Sequence, residues 1–151
     1  MKKLKFMFGL LFAFCCVVAF SACGSDDDEP ANVESYLIGT WRSYQATVNA
    51  QNESATLDIS KTGQFSQLYM ELTFDKNGTV VAYSWDVDEN GLSTWLKEAG
   101  TYTVSGSSVN VTIDGVTIPF VYDEGGRTLY FRSAETVEGY GLVSVYIYLK
   151  K

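Results

Sequence analysis

Val109-Asn110-Val111-Thr112-Ile113-Asp114-Gly115-Val116-Thr117-Ile118-Pro119-Phe120 is the stretch from which the fold can be read. Asp114-Gly115 suits a two-residue type I′ turn, because both central residues of that turn take positive φ and this pair tolerates it. Such a turn sets Ile113 against Val116, Val111 against Ile118 and Val109 against Phe120, so six apolar side chains share one face of a hairpin. Asn110, Thr112, Thr117 and Pro119 take the other face. Pro119 lacks a donor, which predicts a bulge or a locally unpaired position. Turn chemistry and alternation agree here independently, and that agreement specifies a register.

Outward from this hairpin the same pattern continues. Runs rich in Val, Ile, Thr, Tyr and Phe alternate with Gly, Asn, Asp and Ser clusters, and no long stretch has a 3.6-residue period. Strands are predicted near residues 38–47, 67–75, 79–87, 94–104, 108–113, 116–122, 127–133 and 141–149. Strands joined mostly by hairpins predict an all-β fold, an eight-stranded antiparallel up-and-down barrel or a flattened barrel or sandwich. Leu129, Phe131, Val143, Val145, Ile147 and Leu149 form one face, with Tyr130, Tyr146 and Tyr148 opposite. The inside is therefore expected to be greasy and nearly free of polar groups. A membrane-spanning barrel would turn its apolar residues outward on strands of about 9 to 11 residues, and most strands here are shorter.

Two segments leave alternatives open. At Asp75-Lys76-Asn77-Gly78, a three-residue loop closed by Gly78 puts Leu68, Met70, Leu72, Phe74, Val80 and Ala82 inside and Tyr69, Val81, Tyr83 and Trp85 outside. A four-residue loop buries Val81, Tyr83 and Trp85 instead. Asn49 to Gln64 is polar apart from alternating Leu57 and Ile59, and reads as a short strand, a turn of helix or a lid.

Lys2, Lys3 and Lys5 followed by the apolar run Phe6–Phe20 and small Ser21 and Ala22 read as a secretory signal peptide over residues 1–22. The run is shorter than the roughly 20 apolar residues that cross a bilayer. Phe20-Ser21-Ala22-Cys23 resembles the lipobox of bacterial lipoproteins, which implies acylation of Cys23 and anchoring in the lipid bilayer. The acidic Ser25-Asp26-Asp27-Asp28-Glu29 resembles the signal that sends lipoproteins to the outer face of the outer membrane. Residues 23–35 are then a lipidated acidic tether, and residues 36–151 a single β domain.

Loss of residues 1–22 takes the net charge from −7 to −10, which makes nucleic acid an unsuitable partner. The chain has no histidine, and Cys15, Cys16 and Cys23 are its only cysteines. Cys-His and Ser-His-Asp nucleophile systems and nearly all zinc sites are thereby excluded, and no disulfide is available to the folded part. No spacing of the remaining carboxylates, lysines or hydroxyls singles out a catalytic group, so the reading is of a protein that is not an enzyme and needs no cofactor.

Gly39-Thr40-Trp41, Phe74-Asp75-Lys76-Asn77-Gly78-Thr79 and Gly100-Thr101-Tyr102-Thr103-Val104 resemble recurring pieces of the lipocalin-like domains of secreted bacterial lipoproteins. The resemblance implies a barrel closed at one end by Trp41. In lipocalins an arginine of the last strand covers that tryptophan; the last strand here has none. The resemblance also implies capture of a small apolar ligand, and the inward side chains Val109, Val111, Ile113, Ile118, Phe120, Phe131 and Val145 are the candidate lining. The alternative is an interaction module whose barrel is packed and whose outer Tyr83, Trp85 and Trp95 meet a glycan or an envelope protein. Asp86-Val87-Asp88-Glu89-Asn90-Gly91 matches the first half of a calcium loop, with Asp86, Asp88 and Asn90 as ligands, but Lys97 stands where the bidentate glutamate belongs. An acidic hairpin turn is the competing reading. Asp123-Glu124-Gly125-Gly126 reads as a turn.

The lipobox reading is checked by metabolic labelling with a radioactive fatty acid. Label is expected on the parent chain and not on Cys23→Ser; label persisting on that variant refutes the anchor.

Overall fold

The computed structural model describes residues 33–151 except 52, 88, 89, 91 and 126. A short helix α1 (Val33–Leu37) leads into nine strands: β1 (Gly39–Ala50), β2 (Glu53–Asp58), β3 (Met70–Phe74), β4 (Thr79–Val87), β5 (Ser93–Ser105), β6 (Ser108–Ile113), β7 (Val116–Asp123), β8 (Thr128–Val137) and β9 (Gly141–Lys150). All pairings are antiparallel, and β1 also pairs with β9, which closes eight of the strands into a barrel with one strand extra. Cys23, the signal peptide and the acidic run lie outside the described residues, and α1 spans the expected boundary between tether and domain.

The extra strand is β2. One edge of β1 pairs with β3 from Gly39 to Arg42 and with β2 from Gln45 to Ala50, so two short strands follow one another along the same neighbour. The segment 49–64 thus comprises the end of β1, a turn at Gln51 with φ 50°, the strand β2 and the irregular stretch 59–64, tied back to β1 where the Ile59 amide donates to the Tyr44 carbonyl. A register shift between Ser43 and Gln45 against β9 adds one residue to β1 and reverses its alternation. Trp41 and Ser43 face inward before the bulge, and Ala46 and Val48 after it. The Ser43 hydroxyl donates to the Leu68 carbonyl (3.3 Å) and accepts from the Met70 amide (2.9 Å), stapling the start of β3 where its pairing with β1 ends.

The Asp114-Gly115 hairpin has the expected register from Ile113↔Val116 to Val109↔Phe120, with positive φ at both turn residues. Pro119 sits opposite Asn110 with no bulge, and β7 pairs with β8 only from Val121 onward. The unpaired reading of Pro119 therefore holds, because β8 makes no ladder bonds beside it. The Asp75–Gly78 loop takes the three-residue form: the Asp75 amide donates to the Thr79 carbonyl, Gly78 has φ 78°, and Phe74 pairs with Val80. Leu68 differs from expectation, lying half-buried in a 3-10 turn (Ser66–Leu68) rather than in a strand.

Gly100 lies where β5 crosses β6 at Ile113. A Cβ there would collide with the Thr112 carbonyl oxygen and lie 2.8 Å from Ile113 Cγ1. Gly100→Ala is expected to cost about 2 kcal/mol, since backbone must move to admit the methyl. Gly125→Ala, whose methyl would meet only the Asp123 carboxylate at 3.7 Å, should stay within about 0.5 kcal/mol of the parent. Urea denaturation of both variants measures the difference.

Candidate functional site

One end of the barrel is plugged. Leu37 of α1 is fully buried, its carbonyl accepts from Trp41 Nε1 at 2.8 Å, and Tyr122 meets the Trp41 ring edge-on with centroids 6.1 Å apart. Tyr36 stacks on Tyr122 from outside. The Lys151 ammonium stands 5.6 Å from the Trp41 ring centroid. A lysine one residue beyond β9 thus supplies the cation over the tryptophan that the last strand lacks. Leu37 and Lys151 were not foreseen in this role, because they lie outside the predicted strands, whereas Tyr122 ends the predicted strand 116–122 on the inward alternation of Ile118 and Phe120.

Toward the opposite end, where the β1–β2, β4–β5, β6–β7 and β8–β9 connections gather, the interior loosens. Val109, Val111, Leu129 and Leu149 are fully buried in the lower barrel, whereas the inward-facing Val48, Leu57, Leu96, Val116, Val143 and Val145 are half-buried. Below this mouth, where Glu135 shares the inward alternation of Val143, lies a cavity of about 20 Å³ among Met70, Ser84, Glu98, Val111, Ile118 and Phe120, with Leu72, Ala82 and Ile113 completing the wall. That is room for about one water. Of the expected lining, Val111, Ile113, Ile118 and Phe120 meet here. Val109 and Phe131 belong to the packed lower core, and Val145 to the mouth.

The lining is less purely apolar than expected. Trp85 pairs with Trp95 across β4 and β5, which places Glu98 opposite Ala82 on the inward face, and Ser84 is buried there too. A carboxylate and a hydroxyl therefore reach the cavity wall. Among the described residues β7 and β8 pair only over Val121–Asp123, and just beyond this ladder Phe120 of β7 packs on Phe131 of β8 with centroids 5.1 Å apart.

Outside, Tyr83, Trp85 and Trp95 come together as expected. Trp95 stacks on Tyr83 at 5.0 Å and meets Trp85 at 4.5 Å and Tyr69 at 5.7 Å. The Lys61 ammonium lies 4.7 Å from the Tyr83 centroid and 5.2 Å from that of Trp95. These rings face one another and the segment after β2 rather than solvent alone. Tyr69 beneath them donates to Glu71 Oε1 at 2.7 Å. Burial first, and the Glu71 hydrogen bond and charge second, push its phenol up to about 12.

Of the candidate calcium ligands, Asp88 and the side chain of Asp86 lie outside the described residues; Asn90 is exposed in the β4–β5 connection. Among the described residues no three carboxylates or other ligating groups converge on a metal position.

A family model described as a lipocalin-like domain matches residues 37–138. Among solved structures the chain is similar to a lipocalin-like protein from Bacteroides uniformis at 18% identity and TM-score 0.40, over 77% of this chain and 99% of that one. It is similar to a deswapped triple mutant of bovine odorant-binding protein at 19% identity and TM-score 0.40, over 77% of this chain and 74% of that one. A protein from Bacteroides eggerthii is 13% identical, with TM-score 0.40 over 76% of this chain and 99% of that one. No curated protein matches the chain.

The raised Tyr69 phenol links stability to alkaline pH. Its proton is held more tightly in the folded chain than in the unfolded one, so its contribution is complete below about 10 and is lost as pH rises toward about 12. Tyr69→Phe is expected to flatten the fall of urea stability across that window. An unchanged slope refutes the assignment.

Proposed function

The chain belongs to the lipocalin-like domain family, and we propose on that premise that it is a binding protein rather than an enzyme, taking a small apolar or amphipathic molecule into the open half of its barrel. The observation that carries this reading is the change along the interior: inward apolar side chains are sealed near Trp41 and half-buried at the mouth. Exposed apolar surface facing into a concavity is what an apolar ligand would cover.

Size and charge narrow the ligand. The deep cavity of about 20 Å³ holds no more than a water-sized group. The bulk of the ligand would rest among Val48, Leu57, Leu96, Val143 and Val145, and flexible Met70 is the side chain best able to deepen the floor. Glu98 on the wall disfavours an anionic head by like charge, so a neutral or cationic polar end fits better than a fatty-acid carboxylate.

The signal peptide, the lipobox around Cys23 and the acidic run Asp26–Glu29 support the rest of the proposal: an outer-membrane lipoprotein whose domain faces the cell exterior. Asp86, Asp88 and Asn90 would add, at most, a calcium ion at the rim of the mouth.

Fluorescence titration with a neutral naphthylamine probe and a fluorescent fatty acid tests the interior. The neutral probe is expected to bind saturably to the full chain. Val145→Trp, on the half-buried wall, should weaken it at least tenfold with an unchanged melting temperature, and Glu98→Gln should improve the fatty acid severalfold more than the neutral probe. Absence of saturable neutral-probe binding to the parent chain would sink the reading.

A further inference from the structure

The second aromatic group on the barrel is on β8 and β9. Tyr130, Tyr146 and Tyr148 are outward-facing and half-buried, with centroids 5.7 Å apart for Tyr130 and Tyr148, 6.4 Å for Tyr130 and Tyr146, and 6.5 Å for Tyr146 and Tyr148. Tyr146 and Tyr148 are stacked with their planes 17° apart, and Tyr130 is tilted against both, so the three form one group separate from the β4–β5 rings and Lys61.

Charge sets this face apart. The chain holds 18 acidic residues against 11 basic ones, yet β1 and β9 contain no acid at all. The one acid of β8, Glu135, pairs with Val143 on the opposite alternation from Tyr130 and Arg132. Arg132 lies 5.7 Å from the Tyr146 centroid and donates to the Ser144 hydroxyl at 3.0 Å, so its guanidinium is held beside the rings. At the lower end Lys150 Nζ is 4.5 Å from the ring of Tyr44, the residue at the β1 bulge. An acidic protein thus carries a tyrosine shelf flanked by two cations.

We propose that the outer face of β8 and β9 binds an acidic polysaccharide, its sugar rings lying on Tyr130, Tyr146 and Tyr148 and its carboxylates meeting Arg132 and Lys150. Tyrosine faces accept the C–H faces of pyranose rings while their hydroxyls bond the sugar oxygens, and arginine pairs with a carboxylate through two parallel N–H groups. An acidic peptide fits less well. Peptides join sheets by adding a strand to an open edge, and β9 is paired on both sides, while β8 is open only above Tyr130, opposite Ile147 to Gly141 and not opposite Tyr148. This site is independent of the barrel interior, and its failure would leave the ligand reading untouched.

Affinity electrophoresis of the full chain through gels holding polygalacturonate, neutral dextran or poly-glutamate tests the proposal. Polygalacturonate is expected to retard the protein, while dextran and poly-glutamate do not. Tyr146→Ala with Tyr148→Ala should weaken retardation at least tenfold without changing the melting temperature. Tyr146→Phe keeps the ring and should retain most of the binding, Arg132→Gln should lower both the affinity and its salt dependence, and Tyr83→Ala should have no effect. The proposal is overturned by no retardation in polygalacturonate, by equal retardation in poly-glutamate, or by retardation that survives the double tyrosine variant in a folded protein.

Discussion

Closure of the sheet through β1 is the constraint on which the interior depends. β1 pairs with β9 along one edge and with β3 and then β2 along the other, so a single strand completes the ring and carries the extra strand. A closed sheet leaves few free edges, and in the lower barrel every inward side chain has neighbours on both flanks. That matters in a chain whose three cysteines all precede residue 33, because packing must then do what a disulfide would do elsewhere. The bulge at Tyr44 makes the closure compatible with an apolar inside. Without the added residue, a strand that points Trp41 inward at one end would turn Ala46 outward at the other.

From this closure follow two unequal halves. Near α1 the ring is filled by large side chains, Trp41, Phe74, Tyr102, Phe120 and Tyr122, and both termini of the described chain add to the plug through Leu37 and Lys151. Toward the mouth the inward residues become small or branched, Val48, Val143 and Val145 among them, and cannot span the ring between them. A barrel of eight strands is near the size at which side chains can fill it or leave room for one ligand, so a change of residue size along the axis is enough to divide it into a core and a cup. Glu98 lies at that division.

How much of this was legible in the sequence depended on whether two local signals agreed. The Asp114-Gly115 hairpin was readable to the residue because turn type and alternation gave one register. At Asp75–Gly78 the alternation allowed two registers, and the Asn-Gly preference for a left-handed glycine pointed to the one observed. β2 escaped because five of its six side chains are exposed, leaving Leu57 as the only trace of a period. Glu98 was assigned no face, since the β4–β5 connection does not fix its own length. The usable signal was the cross-strand preference of aromatic pairs: matching Trp85 with Trp95 would have set Glu98 against Ala82. Lys151 was invisible because it lies beyond the last strand, where alternation has nothing to say.

Orientation links the interior to the rest of the protein. α1 enters at the plugged end, and β9 finishes there, opposite the mouth. The tyrosine face lies on the side wall, at right angles to both. Alternation then explains how one small domain can serve two kinds of contact: in β8 and β9, Phe131, Ile147 and Leu149 point in while Tyr130, Tyr146 and Tyr148 point out. The inner set answers to packing and the outer set to whatever lies beside the wall, so each can be changed without disturbing the other.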